Sequence, residues 1–311
     1  MCSYFGIDTS NYTTSAAIYY KDGLVKKTSK LLSLKAGSVG LRQSEVVFQH
    51  VKRLPEVIND TIDITANLPK AIGVSSRPRD QVGSYMPCFN VGVSTAKSIS
   101  CVLKIPYYEF SHQAGHIVAA LYSVGRLDLL KKSFFAFHIS GGTTEALLVE
   151  PCDETVIKTQ IVGKTLDLTA GQLIDRVGST ISLSFPAGRN LELLAKKCKE
   201  NFKIVPCVKG TDCCLSGVQN LCEKMRKEKK DREQISKFCL DYIAFTIDKM
   251  CFNILNKYGQ KPLLFAGGVM ANSMIREYML KKYDAIFAKP DFSSDNAAGI
   301  AVLTAIKEGA I

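Results

Sequence analysis

Apolar and polar positions alternate near the start of the chain and adopt a helical spacing further along. The alternation predicts strands over residues 4–7, 16–20 and 24–28. Apolar residues at helical spacing predict a helix over 44–64, and a short apolar run predicts a buried strand over 71–74. Small side chains within 91–103 predict a second, closely packed helix. The first part of the chain therefore predicts an α/β unit.

The same kinds of element recur in the second part of the chain. A short apolar run that leads into Gly267 and Gly268 predicts a buried strand over 263–266. Helices are predicted over 173–181, 190–201, 234–257, 272–282 and 296–308. We interpret the mixed charge run over 223–233 as a solvated helical surface. The duplicated order predicts two α/β lobes around a central cleft. We expect the first lobe over 1–130, completed by a C-terminal helix at 297–311, and the second over 131–296.

One short segment occurs twice, at residues 4–16 and 134–146. Each copy predicts a strand, a tight polar turn and a second strand, and the residues shared at the same offset are Phe5, Ser10, Thr13, Thr14 and Ala16. A turn of small residues exposes N–H groups and hydroxyls, which bind phosphate or another oxyanion. The alternative is two unrelated hairpins that share Ser and Thr because turns favour them.

Composition narrows the class of protein. The 311 residues are 46% hydrophobic and 22% charged, which excludes a disordered or fibrous chain and allows two lobes. Charged residues interrupt the longest apolar run, and no signal peptide is recognised, so we expect a cytoplasmic protein that does not enter a membrane. The 11 cysteines show no disulfide or zinc spacing and are interpreted as reduced, buried thiols. A net charge of +11 favours a polyanionic partner.

Eight short motifs give the chain a specific resemblance. In order they are Gly6-Ile7-Asp8-Thr9-Ser10, His112-x-x-x-His116, Ser140-Gly141-Gly142-x-Thr144, Asp167-x-x-Ala170-Gly171-x-x-x-Asp175, Phe185-Pro186-x-Gly188, Ser216-Gly217, Ala266-Gly267-Gly268-Val269-x-Ala271-Asn272 and Asp295-Asn296-Ala297-Ala298. Together they resemble the tRNA threonylcarbamoyladenosine synthase family, formerly called O-sialoglycoprotein endopeptidase and peptidase M22-like, over nearly the whole chain. The resemblance is that of a divergent paralogue. It implies the duplicated α/β fold of actin, Hsp70 and sugar kinases, with a nucleotide between the lobes.

Two of the four histidines, His112 and His116, indicate a metal site. On a helix over 110–122 they share one face, which suits two imidazoles on one ion; the alternative is a pair of packed core histidines. Gln113 stands where metalloproteases carry a glutamate general base, so protease chemistry is not indicated. By resemblance Asp295 is the third ligand, although by itself it would also suit a helix N-cap. Two histidines and a carboxylate fit Fe(II) or Zn(II).

The resemblance also implies an adenylate site in the second lobe. Glycines after the strand would let the backbone approach phosphate. Asp175 is similar to the carboxylate that holds the ribose hydroxyls, Gly188 to the glycine packed against ribose or base, and Asn272 to the residue at the adenine. The residues expected to bind threonylcarbamoyl-AMP or a similar adenylate are His138, Ile139, Ser140, Gly141, Gly142, Asp175, Gly188 and Asn272.

The first hairpin departs from the family. By resemblance its catalytic residues are Asp8, Thr9, Ser10, Tyr12 and Thr13. The usual Cys-Asp-Glu turn is here Asn11-Tyr12-Thr13, which lacks both carboxylates, and a Gly-Pro-Gly loop is replaced by Arg77-Pro78-Arg79-Asp80. We therefore expect slower transfer or a changed acceptor.

The resemblance implies a metal-dependent transferase that moves threonylcarbamoyl from its AMP ester to the adenosine beside the tRNA anticodon. The expected partners are tRNA, a paralogous dimer partner and a small ATPase, and the candidate tRNA contacts are Arg77, Arg79, Lys131, Lys132 and the 223–233 run. One alternative is a carbamoyl-type transferase with another acceptor. Another is a non-catalytic scaffold paralogue, which the histidine pair disfavours. A kinase or ATPase is disfavoured because Tyr12 and Thr13 supply no acidic group.

Overall fold

The computed structural model describes residues 2–10, 12–33, 41–62, 68–289 and 296–311. In chain order the strands are β1 Ser3–Ser10, β2 Thr13–Tyr20, β3 Val25–Leu31, β4 Ala71–Arg77, β5 Tyr107–Ser111, β6 Phe134–Ile139, β7 Thr144–Cys152, β8 Val156–Lys164, β9 Val208–Lys209, β10 Asp212–Cys213, β11 Leu263–Ala266 and β12 Ala285–Phe287.

The helices are α1 Gln43–Thr61, α2 Phe89–Leu103, α3 His112–Ser123, α4 Ala170–Thr180, α5 Gly188–Ala195, α6 Ser216–Lys227, α7 Arg232–Tyr258, α8 Ser273–Leu280 and α9 Asn296–Lys307. Two 3-10 helices occupy Leu127–Lys131 and Gly268–Ala271. Within the described ranges no helix is long and apolar enough to cross a membrane.

The chain forms two compact units. The first comprises Met1–Lys132, Glu150–Gln160 and Asp291–Ile311, and the second comprises Ser133–Val149 and Ile161–Pro290. One sheet has the strand order β3-β2-β1-β4-β5, and the other has the order β8-β7-β6-β11-β12. In the first sheet β1 is antiparallel to β2 and parallel to β4. In the second, β6 is likewise antiparallel to β7 and parallel to β11, so the two sheets repeat one topology.

Helix α9 packs tightly against the first sheet and against α3. A Cβ on Gly6 would lie 2.5 Å from the amide nitrogen of Ala301, so only glycine lets α9 approach β1 this closely. A Cβ on Gly299 would lie 1.8 Å from the carbonyl oxygen of Gly115 in α3. The C-terminal helix is therefore held at backbone contact distance from the helix that carries the histidine pair.

Most predicted elements are present, with shifted ends. The helix predicted over 190–201 ends at Ala195, where Lys197 donates to the carbonyl of Leu194 in a tight turn. The run over 223–233 is solvated, as expected, but a break divides its helical part in two. Helix α6 stops at Lys227, Lys229 takes a left-handed φ of 60°, and Asp231 with Gln234 forms a capping box that starts α7.

The cysteines are free thiols, but only part of them is buried. The buried ones are Cys88, Cys213, Cys222, Cys239 and Cys251, whereas Cys101 and Cys207 are exposed. The expectation of buried thiols was therefore wrong for the latter two, because Cys101 lies on an exposed part of α2 and Cys207 precedes the short strand β9.

Candidate functional site

A buried carboxylate organises the first unit's candidate site. Asp8 is fully buried near the end of β1. Its Oδ2 accepts hydrogen bonds from Ser75 Oγ at 2.6 Å and from His112 Nδ1 at 2.8 Å, and its Oδ1 accepts from the Ser10 amide at 2.9 Å. A carboxylate that is only an acceptor requires the proton of the ring to sit on Nδ1 of His112.

The pKa of Asp8 lies below the usual range of a carboxyl group. Burial by itself would raise this pKa, but the adjacent His112 ring and the hydrogen bonds from His112, Ser75 and Ser10 outweigh it. Asp8 is therefore held as the anion, and this anion orients the imidazole of His112.

The predicted histidine pair comes together on α3. Ser111 is the N-cap of this helix and accepts from the Ala114 amide, so the helix begins at His112 itself. The rings of His112 and His116 are half-buried, with centroids 4.7 Å apart and planes at 75°. Because Nδ1 of His112 faces Asp8, a metal ion would meet Nε2 of that ring.

Asp295, the third predicted ligand, lies outside the described residues. Among the residues that are described, no cluster of three or more metal-ligating side chains occurs. Gly299, four residues after Asp295, lies against the carbonyl of Gly115, which directly precedes His116.

The other predicted catalytic residues line the first hairpin, and each has a local role. The Thr9 hydroxyl donates to the carbonyl of Cys88 and accepts from the amide of Gly92, so it ties β1 to α2. Ser10 pairs with Thr13 at the end of the hairpin, where Ser10 is buried and Thr13 is half-buried. Tyr12 is 46% exposed, and its carbonyl accepts from the Leu32 amide.

Sequence reasoning missed His50 on α1. Its ring is completely buried, and Nδ1 is 2.8 Å from the hydroxyl of Thr14 on β2, while Nε2 has no hydrogen-bond partner among the described residues. Burial lowers the pKa of His50 to about 4, although the Asp8 carboxylate partly offsets it. The signal was present in the sequence, because His50 stands on the buried face of α1 between Val46 and Leu54.

The loop that replaces Gly-Pro-Gly is tied to α3. Arg77 forms an ion pair with Asp80 at 3.0 Å, and the carbonyl of Pro78 accepts from the Gln113 amide. Arg79 is half-buried, and its amide donates to the Ser84 hydroxyl. Arg77, at the end of β4, and Arg79, in the loop that follows, therefore lie beside the start of the histidine helix.

In the second unit the predicted phosphate turn is fixed to α4. The Ser140 amide donates to the carbonyl of Thr143, and the amide of Gly171 donates to the carbonyl of Ser140. A Cβ on Gly171 would lie 2.5 Å from the Cα of Gly141, so this contact requires glycine. A Cβ on Gly141 or Gly142, in contrast, would have no atom within 4 Å beyond the adjacent residues of the chain. Their faces are open to a ligand.

A cavity of about 480 Å³ lies beside this turn, within the range of small-molecule sites. Four of the predicted adenylate residues line it: Gly141, Asp175, Gly188 and Asn272. Phe185, from the same motif as Gly188, also lines it, and sequence reasoning missed Arg189 and Glu192. Arg189 and Glu192 follow Gly188 on α5 and offered only their proximity to the motif as a signal.

The polar residues of this cavity are fixed by the backbone. Asp175 accepts from the Ala187 amide through Oδ1 at 2.9 Å, and Asn272 caps α8 by accepting from the Ile275 amide. Glu192 accepts from the amide and the hydroxyl of Ser273. The cavity therefore offers a carboxylate, an amide and open glycine backbone on rigid elements.

Ile139 and His138, the other residues predicted to bind the adenylate, precede the phosphate turn at the end of β6. The side chain of Ile139 is fully buried in the core, so only its main chain could face a ligand. A Cβ on Gly267 would lie 2.3 Å from the Ile139 carbonyl oxygen and 3.0 Å from the half-buried ring of His138.

Comparison with known proteins gives a family match over most of the chain. The family described as TsaD, tRNA N6-adenosine threonylcarbamoyltransferase, matches residues 38–302. A relative in Riemerella anatipestifer, named "tRNA N6-adenosine threonylcarbamoyltransferase", is 27% identical over 97% of this chain and 92% of its own length. A relative in Thermoplasma volcanium, named "Probable bifunctional tRNA threonylcarbamoyladenosine biosynthesis protein", is 27% identical over 95% of this chain and 54% of its own.

Solved structures bear on the fold. HypF in a phosphate- and nucleotide-bound form superposes with a TM-score of 0.62 at 11% identity, covering 98% of this chain and 55% of that one. A ROK family glucokinase from Streptomyces griseus gives 0.53 at 7% identity, covering 99% of both chains. The predicted duplicated α/β fold of the sugar-kinase kind is confirmed.

Proposed function

This chain belongs to the tRNA N6-adenosine threonylcarbamoyltransferase family and is a transferase of tRNA threonylcarbamoyladenosine biosynthesis, and from that premise we propose its substrates, metal and partners. The proposed reaction transfers threonylcarbamoyl from its AMP ester to the adenosine beside the tRNA anticodon. The bond between the carbamoyl carbon and the phosphate oxygen breaks, this carbon forms a bond to N6 of the adenosine, N6 releases one proton to solvent, and AMP leaves.

The observation that carries this proposal is the cavity beside the Ser140 turn. Its 480 Å³ suits an adenylate, and it brings Gly141, Asp175, Gly188 and Asn272 together from four separate motifs. Oδ1 of Asp175 already accepts a hydrogen bond from the Ala187 amide, so Oδ2 is the oxygen that would accept a hydrogen bond from a ribose hydroxyl. The open faces of Gly141 and Gly142 would admit phosphate.

Calorimetry of an AMP ester or a non-hydrolysable analogue on the intact chain tests this cavity. Asp175→Ala should weaken binding by about 1–3 kcal/mol, because a hydrogen-bonding carboxylate is lost. Asp153→Ala, at an exposed carboxylate outside the cavity, is the control and should bind like wild type. No binding by wild type, or equal binding by Asp175→Ala, would contradict the assignment.

We propose that His112, His116 and Asp295 hold one divalent ion, Fe(II) or Zn(II). His112 and His116 suit such an ion, because their imidazoles lie side by side on one helix. The buried carboxylate of Asp8 also orients the His112 ring, as is usual for a metal-bound histidine. Such an ion would act as a Lewis acid towards the substrate's oxygens. The chain's own contribution is orientation: Asp8 holds the Nδ1 proton of His112, and Ser75 and Ser10 hold Asp8.

Metal content and affinity test this site separately from activity. His116→Ala should lose the ion, while Asp8→Asn should retain the fold and weaken affinity by about 10–100-fold, because an amide orients His112 less well. His138→Ala is the matched histidine control and should keep about one ion per chain, as three protein ligands define one site. Full occupancy in His116→Ala would show that the histidine pair is structural.

The proposed partners are tRNA, a paralogous dimer partner and a small ATPase, in the cytoplasm. Support for tRNA comes from the family and from cationic positions at Arg77, Arg79 and Lys131–Lys132, with the 223–233 segment adding a cationic surface. The name of the Thermoplasma volcanium relative indicates that the function can be fused to a second activity, which supports a separate partner protein here.

A carbamoyl-type transfer to another acceptor is the second candidate. It is favoured by one observation: Tyr12 and Thr13 place hydroxyls, not carboxylates, at the end of the first hairpin. Mass spectrometry of tRNA nucleosides from cells with and without the gene distinguishes the two. Unchanged threonylcarbamoyladenosine would favour the other acceptor.

A further inference from the structure

A pair of cysteines faces across a short hairpin of the second unit. Strands β9 and β10 pair antiparallel, with Lys209 opposite Asp212 and Val208 opposite Cys213. The next residues outward are Cys207 and Cys214, and the Cys214 amide donates to the carbonyl of Cys207 at 3.0 Å. The two cysteines therefore continue the ladder as directly opposed residues.

The spacing typical of directly opposed residues in an antiparallel pair suits a disulfide. Residues that stand directly opposite each other in a hydrogen-bonded antiparallel pair have Cα atoms about 5.5 Å apart and side chains on one face. Disulfides most often join Cα atoms separated by about 5.5–6 Å. The thiols of Cys207 and Cys214 are within hydrogen-bonding contact.

The surroundings hold Cys214 in place. The carbonyl of the preceding residue, Cys213, accepts a hydrogen bond from the amide of Leu166. Directly after Cys214, the amides of Leu215 and Ser216 both donate to the carboxylate of Asp167, at 2.7 and 3.1 Å. The position of Cys214 is therefore set by contacts that do not depend on a bond to Cys207.

Accessibility separates this pair from the chain's other close thiols. Cys207 is exposed and Cys214 is half-buried, so an oxidant in solution reaches the first thiol directly. Cys222 on α6 and Cys239 on α7 are also hydrogen-bonded to each other, but both are completely buried. Since oxidation follows exposure as well as proximity, the two pairs should behave differently.

We propose that Cys207 and Cys214 form a reversible dithiol–disulfide site that reacts with small-molecule disulfides such as glutathione disulfide. The Cys207 thiolate attacks one sulfur of the oxidant, a mixed disulfide forms, and one glutathione thiolate leaves and takes up a proton. Cys214 then attacks Cys207 Sγ and expels the second glutathione thiol. The protein loses two electrons and two protons, and the oxidant gains them.

The order of attack follows from the environment of the two thiols. Burial raises the pKa of Cys214, with further contributions from the Asp167 carboxylate and from Cys207. Cys214 is thus suited to the second, intramolecular step, where proximity compensates for its smaller thiolate fraction. The rate of closure should increase with pH.

The experiment equilibrates the full chain in mixtures of reduced and oxidised glutathione, then alkylates free thiols and maps them by peptide mass spectrometry. We expect a Cys207–Cys214 bond, a mass loss of about 2 Da, and full reversal by dithiothreitol, since two hydrogens leave and return. Cys207→Ser should abolish the bond, and Cys214→Ser should stop at the mixed disulfide on Cys207. Cys239→Ser is the matched control and should form the bond like wild type.

Several outcomes would overturn the proposal. One is that Cys207 and Cys214 remain fully alkylated in every mixture. Another is that wild type accumulates only a stable mixed disulfide. A third is that the mass loss persists when both residues are replaced by serine, which would move the oxidation to another pair such as Cys222 and Cys239.

Discussion

Acidification should destabilise the first unit through His50. This ring is fully buried, and burial lowers its pKa from 6.5 to about 4. In the unfolded chain the imidazole takes up a proton near pH 6.5, whereas in the folded chain it stays neutral until about pH 4. The neutral His50 ring therefore contributes its full stabilisation above pH 6.5. This stabilisation is lost as the pH falls from 6.5 to about 4, and it changes no further at lower pH.

The size of the loss follows from the two pKa values. Their difference of about 2.5, at about 1.4 kcal/mol for each pH unit, gives about 3.5 kcal/mol in full, of which about 3 kcal/mol is lost between pH 7 and pH 4, where the folded ring is half protonated. His50→Gln removes this titration, and the amide can still bond to Thr14. Between pH 7 and pH 4 the unfolding free energy of His50→Gln should therefore fall by about 3 kcal/mol less than that of wild type. This difference is expected even if the variant is less stable than wild type at pH 7.

Hydrogen exchange of β1 and β2 peptides, corrected for the intrinsic effect of pH, measures the opening free energy of this unit alone. The comparison is the change from pH 7 to pH 4 in wild type, in His50→Gln and in Lys52→Gln, an exposed control on the same helix. We expect the control to follow wild type. Parallel pH dependences of wild type and His50→Gln would refute the reasoning, because the buried ring would then not titrate differently on folding.

Two other predictions follow from the packing and from the first hairpin. Gly299→Ala should destabilise the chain by about 1–3 kcal/mol in thermal unfolding, because its Cβ would lie 1.8 Å from the carbonyl of Gly115. Gly217→Ala is the control, because a Cβ at this helical glycine would have no atom within 4 Å beyond its own helix backbone and neighbours; it should be neutral or slightly stabilising, and equal losses would contradict the packing argument. Replacing Tyr12 by Asp and Thr13 by Glu should raise turnover on unmodified tRNA by about 10²–10⁴-fold, since a positioned acid or base contributes that much. Turnover of wild type at the rate of an ordinary family member would show that the carboxylates are dispensable.

Local patterns were sufficient for the elements and the class of fold. The strand predicted over 263–266 matches β11 without change, because Pro262 before the apolar run and Gly267 after it disfavour a helix. The helix predicted over 296–308 likewise matches α9 to within one residue. Helix ends were less well predicted where a turn or a cap decides them, as at Ala195 and at Asp231.

The histidine spacing was enough to propose a metal pair, since α3 brings His112 and His116 together within one element. Asp8 was recognised from its motif, but its hydrogen bond to His112 spans 104 positions and comes from the pairing of β1, β4 and the start of α3. Spacing within one helix can be read from the chain, whereas this contact depends on how the sheet is assembled.

The sequence by itself determined the order of the motifs, the duplicated strand–turn–strand segments and the apolar faces of the helices. These depend on residues within one or two turns of each other, whose conformations local sterics and periodicity largely dictate. Only the tertiary structure decided that Glu192 meets Ser273, that His50 lies buried against Thr14, and that Cys207 faces Cys214. The physical reason is that such pairs are joined by strand register and helix packing, which follow from the burial of the whole core and not from any local segment.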